Sequence, residues 1–102
     1  MKTIPLSRDD ERLVGMLNAL GNPARFKMLE HLAQCPACHV GDVVERMPLA
    51  QSTVSQHLSV LRDSGLLHDE KAGLAKCCTP NPEALFWLRE RIAELVKRIV
   101  DE

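Results

Sequence analysis

Residues 51–67, Q-S-T-V-S-Q-H-L-S-V-L-R-D-S-G-L-L, constrain the fold most, because they specify one helix with two unlike faces. Val54, Leu58 and Leu61 recur at i, i+4 and i+7, an apolar stripe suited to a core. At ~100° per residue, Ser52, Ser55, Gln56 and Ser59 gather on the opposite side. Exposed helix faces are normally solvated by Glu and Lys, whereas these are short groups that both donate and accept hydrogen bonds. Such side chains reach base edges and phosphates without holding the backbone away, which is what a helix in the major groove of duplex DNA requires.

The residues just before supply a partner helix. Asp42 to Met47 reads as a short amphipathic helix with Val43, Val44 and Met47 inward, and Pro48-Leu49-Ala50 as a compact turn, since proline cannot continue the helix. Helix, short turn and polar-faced helix form the helix-turn-helix pattern; the alternative on periodicity alone is an ordinary helical hairpin.

The flanking elements follow from caps and breakers. Ser7 and Asp10 are spaced as a capping pair for a first helix running to Leu20, with Gly21 as its stop. Asn22-Pro23 opens a second helix that ends near Gln34, with Phe26, Leu29, Leu32 and Ala33 expected inward. Cys35-Pro36-Ala37-Cys38-His39 is a non-helical connector. Gly65 closes the polar-faced helix. Leu66–Glu70, Lys71-Ala72-Gly73 and Leu74–Thr79 then read as strand, turn and a weaker second strand. After Pro80-Asn81-Pro82, a last helix runs to Val100 with Leu85, Leu88, Ile92, Leu95 and Ile99 as a heptad seam, widened by Phe86, Val96 and Val100. That stripe suits packing within the domain or against a second copy.

L-G-N-P-A-R-F-K-M-L-E-H-L (residues 20–32) followed by D-V-V-E-R-M-P-L-A-Q-S-T-V-S-Q-H-L-S-V-L-R-D-S-G-L-L (residues 42–67) resembles the ArsR-type family of small winged-helix repressors, over almost the whole chain from Leu13 to Val100. The resemblance implies a mainly α fold of about five helices with a two- to three-stranded antiparallel wing. It also implies a homodimer made by the first and last helices, double-stranded operator DNA as partner, and release of that DNA when an effector binds. On this pattern Gln51, Ser52, Thr53, Ser55, Gln56 and His57 lie where base and backbone contacts are expected, with Ser59 and Arg62 further along near phosphates. Gln56 is the leading base reader, because a carboxamide pairs bidentately with adenine. His57 flanks the core stripe and reads equally as a packed, hydrogen-bonded histidine. Two positions depart from the family. Ala50 stands where a Ser or Thr usually caps the helix, a loss of about 1 kcal/mol unless another group substitutes. Leu74 replaces a common polar residue after the wing glycine, leaving Lys71 and Lys76 as the wing's DNA-contacting candidates.

Composition limits the alternatives. A chain of 102 residues is expected to form a single domain spanning residues 1–102. With Phe26, Phe86 and Trp87 its only aromatic residues, the core must be aliphatic, and stacking on single-stranded nucleic acid is disfavoured. The net charge of -1 confines any positive surface to local groups, so non-specific DNA binding is expected to be salt-sensitive and modest. The sequence contains neither an apolar run of membrane-spanning length nor a signal-peptide pattern, so a cytoplasmic protein with no membrane partner is expected. It also lacks a glycine-rich phosphate loop and an H-E-x-x-H pair, which argues against an enzyme.

Four cysteines, Cys35, Cys38, Cys77 and Cys78, suggest metal binding or redox sensing in a reducing compartment. If the connector forms a strand beside the second wing strand, as is common in winged helices, the two pairs approach each other. Adjacent strand residues face opposite ways, so Cys35, Cys38 and one of Cys77 and Cys78 are the expected thiolate ligands, with His39 as a further candidate. Such a site suits arsenite, antimonite or a soft divalent ion such as cadmium. The family's C-x-C before the helix-turn-helix Asp is absent, with His39 and Gly41 in those places, and residues 82–102 contain no His for a zinc site on the last helix. Reversible disulfide or persulfide sensing and inert buried thiols stay open. So does a zinc-stabilised protein-interaction module with structural cysteines.

Overall fold

The computed structural model describes residues 3–34, 43, 45–72 and 75–101, with backbone only for 69–72 and 75–77. Four helices and one hairpin are delimited: α1 (Arg8–Leu20), α2 (Pro23–Gln34), α3 (Gln51–Asp63), β1 (Leu67–Ala72), β2 (Ala75–Pro80) and α4 (Pro82–Val100). Val43, Glu45 and Arg46 are also helical, and the Met47 amide donates to the Val43 carbonyl (3.0 Å), one turn of the expected short helix. Asp42 and Val44 of that helix lie outside the described residues, as does the connector 35–41.

Most boundaries trace to local chemistry. In α1 the Asp10 amide donates to Ser7 Oγ (3.0 Å) and the Ser7 amide to Asp10 Oδ2 (3.3 Å), the reciprocal box read from the sequence. Asn22 Oδ1 accepts from the Ala24 and Arg25 amides (3.0 and 3.2 Å), and Pro23 begins α2. Gly65, at φ +87, ends α3 in a Schellman arrangement: its amide donates to Arg62 O (2.9 Å) and the Leu66 amide to Leu61 O (3.1 Å). A methyl group at Gly65 would meet nothing nearer than Met16 Cε at 4.0 Å, so backbone conformation rather than space selects glycine there.

The hairpin is antiparallel, running from Leu67↔Pro80 to Ala72↔Ala75. Lys71 and Ala72, expected in the turn, therefore belong to β1, because continued pairing with β2 outweighs their poor strand propensity. The turn and second-strand start expected at Gly73 and Leu74 fall outside the described residues.

One contiguous core unites the elements: Met16 and Ala19 from α1, Met28 and Leu32 from α2, Val43 from the short helical turn that follows it, Val54, Leu58 and Leu61 from α3, then Leu66, Leu67, Cys78, Ala84 and Leu88. In α2 the reading needs correction. Phe26 is 48% exposed and Ala33 is exposed, while Met28 is fully buried and Leu29 packs at the core's edge. Apolar residues lie on several sides of this helix, so periodicity did not single out one face. The unbranched Met28 fills the interior that the aromatic ring was expected to take.

Helix α4 divides along its length. Ala84 and Leu88 are buried and Leu85, Trp87 and Ile92 border the core, whereas Leu95, Val96, Ile99 and Val100 are 47–71% exposed. The radius of gyration, 15.5 Å, exceeds the about 13 Å of a compact chain this long, consistent with a helix end that leaves the core. Near its middle, α4 is tied to α1: Arg91 Nη2 donates to Asp10 Oδ1 (3.1 Å), and the Arg12 guanidinium lies 4.1 Å from the Trp87 ring centre.

Candidate nucleic-acid interface

The apolar stripe of α3 is fully committed to the core, with Val54, Leu58 and Leu61 at most 1% exposed, and this fixes the helix's rotation. Gln51, Ser52, Ser55 and Gln56 are consequently exposed, as the pattern requires, while Thr53 and Ser59 are half-buried at the margins. Ser59 Oγ accepts from Arg62 Nη2 (3.0 Å), which holds the guanidinium against its own helix one turn below the reading face. In the wing, Lys71 and Lys76 are backbone register partners one step from the last pair of the ladder.

The start of α3 differs from those of α1, α2 and α4. Ala50 is extended (φ −64, ψ 149) and offers no side-chain cap. The Ala50 carbonyl accepts the Val54 amide (3.0 Å), so regular helical bonding begins there. The earlier amides of the first turn receive no cap from the N-cap residue, and the positive end of the helix dipole accompanies them.

His57 is half-buried and engaged by a residue that the sequence did not single out. Arg25 Nη1 lies 3.3 Å from His57 Nδ1, while Arg25 Nε donates to Ala19 O (2.7 Å) and Nη2 to Asn18 O (3.3 Å). Arg25 thus joins the end of α1, the start of α2 and the middle of α3. No spacing rule links positions 32 residues apart, so only the family-like setting of Arg25 within N-P-A-R-F offered a signal. Asn81 was likewise read only as part of a breaker. Its amide donates to Leu66 O (2.9 Å) and its Nδ2 to Gly65 O (3.1 Å), closing the base of the wing onto the end of α3.

Of the candidate thiols, Cys78 is 3% exposed within the core. Cys77 pairs with Glu70 in the ladder and its side chain is outside the described set, as are Cys35, Cys38 and His39. Helix α2 ends at Gln34, directly before Cys35, and packs against β2, which carries the other two cysteines. Among the described residues no three His, Cys, Asp or Glu side chains gather as a metal site, and no helix is long and apolar enough to cross a membrane.

Residues 22–69 match the family described as "Bacterial regulatory protein, arsR family". Over 66 residues the chain is 30% identical to the HTH-type transcriptional regulator YgaV of Escherichia coli K12, covering 65% of this chain and 67% of that protein. Its fold matches the crystal structure of the ArsR family transcriptional regulator RHA00566 with a TM-score of 0.78, at 24% identity, over 100% of this chain and 99% of that one. It also matches the homodimeric winged helix-turn-helix DNA-binding domain of Mb0332 from Mycobacterium bovis, with a TM-score of 0.69 at 16% identity, over 99% and 96% of the two chains. At those identities the two structures speak for the fold.

Proposed function

Because the chain belongs to the ArsR family of winged helix-turn-helix transcriptional regulators, a family of regulators rather than enzymes, we propose that it represses transcription as a homodimer and releases its operator when cysteine thiolates bind a soft metalloid or metal ion. The observation that carries the DNA-reading part is the division of α3 into a fully buried aliphatic stripe and an exposed Ser/Gln face. A rigidly packed helix presents Gln51, Ser52, Ser55 and Gln56 at fixed azimuth to base edges. Thr53, His57 and Ser59 flank that face, Arg62 supplies charge at its rim, and the wing strands carry Lys71 and Lys76 as further phosphate contacts. The first-turn amides suit a phosphate oxygen, which would complete a helix terminus that the N-cap residue leaves open.

Dimerisation is supported by the exposed apolar groups on the two helices the family uses. Val14 and Leu17 on α1 and Leu95, Val96, Ile99 and Val100 on α4 are each at least 42% exposed. A symmetric pair burying them would set two α3 helices about one duplex turn (~34 Å) apart on a pseudopalindromic site.

For the effector, burial of Cys78 in an apolar core favours Cys77 as the wing's contribution, beside Cys35 and Cys38, with His39 as a further donor. Arsenite, antimonite and cadmium suit such a soft donor set. Fluorescence anisotropy of the reduced protein on its own promoter DNA, at fixed salt with and without arsenite, tests both parts. Tight binding released by stoichiometric arsenite, and retained with arsenite in Cys35→Ser and Cys77→Ser variants, is the expected result. Tight binding that arsenite and cadmium leave unchanged would overturn the effector assignment and keep the repressor, and binding released by mild oxidant alone would make the switch a redox one.

A further inference from the structure

The contact between α2 and α3 bears on how the reading helix is made ready for DNA. A guanidinium only donates hydrogen bonds, so the 3.3 Å approach of Arg25 Nη1 makes His57 Nδ1 the acceptor and puts the ring proton of the neutral imidazole on Nε2. Nε2 makes no hydrogen bond among the described residues and is not one of their buried unpartnered atoms, so it reaches solvent as a donor. Arg25 is itself well anchored. Its Nε and Nη2 are held by the Ala19 and Asn18 carbonyls at the C-terminal end of α1, so the third arm of the fork is aimed by the other two.

Which ring nitrogen carries the proton decides the sign of any contact with DNA. Phosphate oxygens, guanine O6 and N7, adenine N7 and thymine O4 all accept hydrogen bonds. An Nε2–H donates to each of them, whereas a bare Nε2 lone pair would face those acceptors and be repelled. The choice is made at the far side of the ring, by a residue in the first turn of another helix.

We propose that Arg25 is a positioning residue for operator recognition, fixing the tautomer and orientation of His57 so that Nε2–H is presented to the duplex beside Gln56. This rests on the DNA-reading role given to α3 above. It adds a residue outside the helix-turn-helix to the recognition apparatus, and it ties the reading face to the end of α1.

The test combines a spectroscopic and a binding readout on the full chain. Long-range proton–nitrogen NMR of the imidazole rings, at mildly alkaline pH, should show His57 of the wild type protonated on Nε2 and a mixed tautomer in Arg25→Gln. Affinity for a promoter duplex over a scrambled duplex of equal length should fall roughly fivefold in Arg25→Gln, the scale of one hydrogen bond, and the same change in a His57→Ala background should cost almost nothing more. A proton on Nδ1 in the wild type overturns the proposal whatever the variants do. Equal losses in both backgrounds overturn it too, since Arg25 would then act only through stability. A wild type that binds the promoter duplex while Arg25→Gln discriminates as well as it does removes this inference alone. A wild type with no preference for the promoter duplex, whatever its tautomer, removes the DNA-reading role on which it rests.

Discussion

Helices α3 and α4 are both amphipathic, and both bury an aliphatic stripe in the same core, yet their uncovered surfaces differ. On α3 the exposed groups are mostly polar, Gln51, Ser52, Ser55, Gln56 and Asp63, with Val60 as the one exposed aliphatic residue; on α4 they include the large apolar residues Phe86, Leu95, Val96, Ile99 and Val100. The first set satisfies hydrogen bonds with a polar partner and loses little in water meanwhile. The second leaves apolar surface in water, which is relieved only by another apolar surface. In a chain with a net charge of -1, these surfaces rather than overall electrostatics distinguish the two helices: one offers hydrogen-bonding groups, the other apolar area.

The largest expected effect breaks the protein half of that comparison. A Val96→Glu/Ile99→Glu double variant should become monomeric by light scattering and lose about 100-fold or more in operator affinity, since two linked half-site contacts would become two separate ones. Its melting should stay cooperative, because both residues lie outside the core. Next, Leu58→Ala and Gln56→Ala separate the two faces of α3. The first should cost about 2–5 kcal/mol in denaturant unfolding, as deletion of a fully buried leucine does. The second should leave unfolding unchanged and reduce discrimination between operator variants by about 1–3 kcal/mol. A Gln56→Ala protein that discriminates as before would place base reading elsewhere on the helix. The smallest effect concerns the bare helix start. Ala50→Ser should raise stability by about 1 kcal/mol by chemical denaturation. If first-turn amides hold a phosphate, the same change should weaken operator binding slightly, because the new hydroxyl competes for those donors.

Where structure follows from a few neighbouring residues, it was legible in the chain. The Ser7–Asp10 box, the Asn22-Pro23 start, the turn at Gly65 and the stripe Val54–Leu58–Leu61 each depend on groups within one or two turns of helix. Legibility failed where distant residues choose. Phe26 and Met28 lie nearly opposite on α2, and only the finished interior decides which one enters it. The heptad seam of α4 was visible as a repeat, but its split after Ile92 depends on how far the other helices extend beside it. Gln51, Ser52, Ser55 and Gln56 were legible as exposed groups because an amphipathic helix has just one other face. Arg25 and Asn81 were not, because each acts by joining segments that meet only after folding.

Asn81 gives that joining a mechanical meaning. Its amide and side chain bind the carbonyls of Leu66 and Gly65, and the following residue begins α4. Everything between Leu66 and Asn81 is therefore a closed excursion, stitched shut at its neck. Lengthening or trimming the hairpin at its tip would alter how far the wing reaches, while the angle between reading helix and terminal helix would be kept by the stitch. Wing length and the setting of the two helices are in this sense separate dials on one chain, each free to change without disturbing the other.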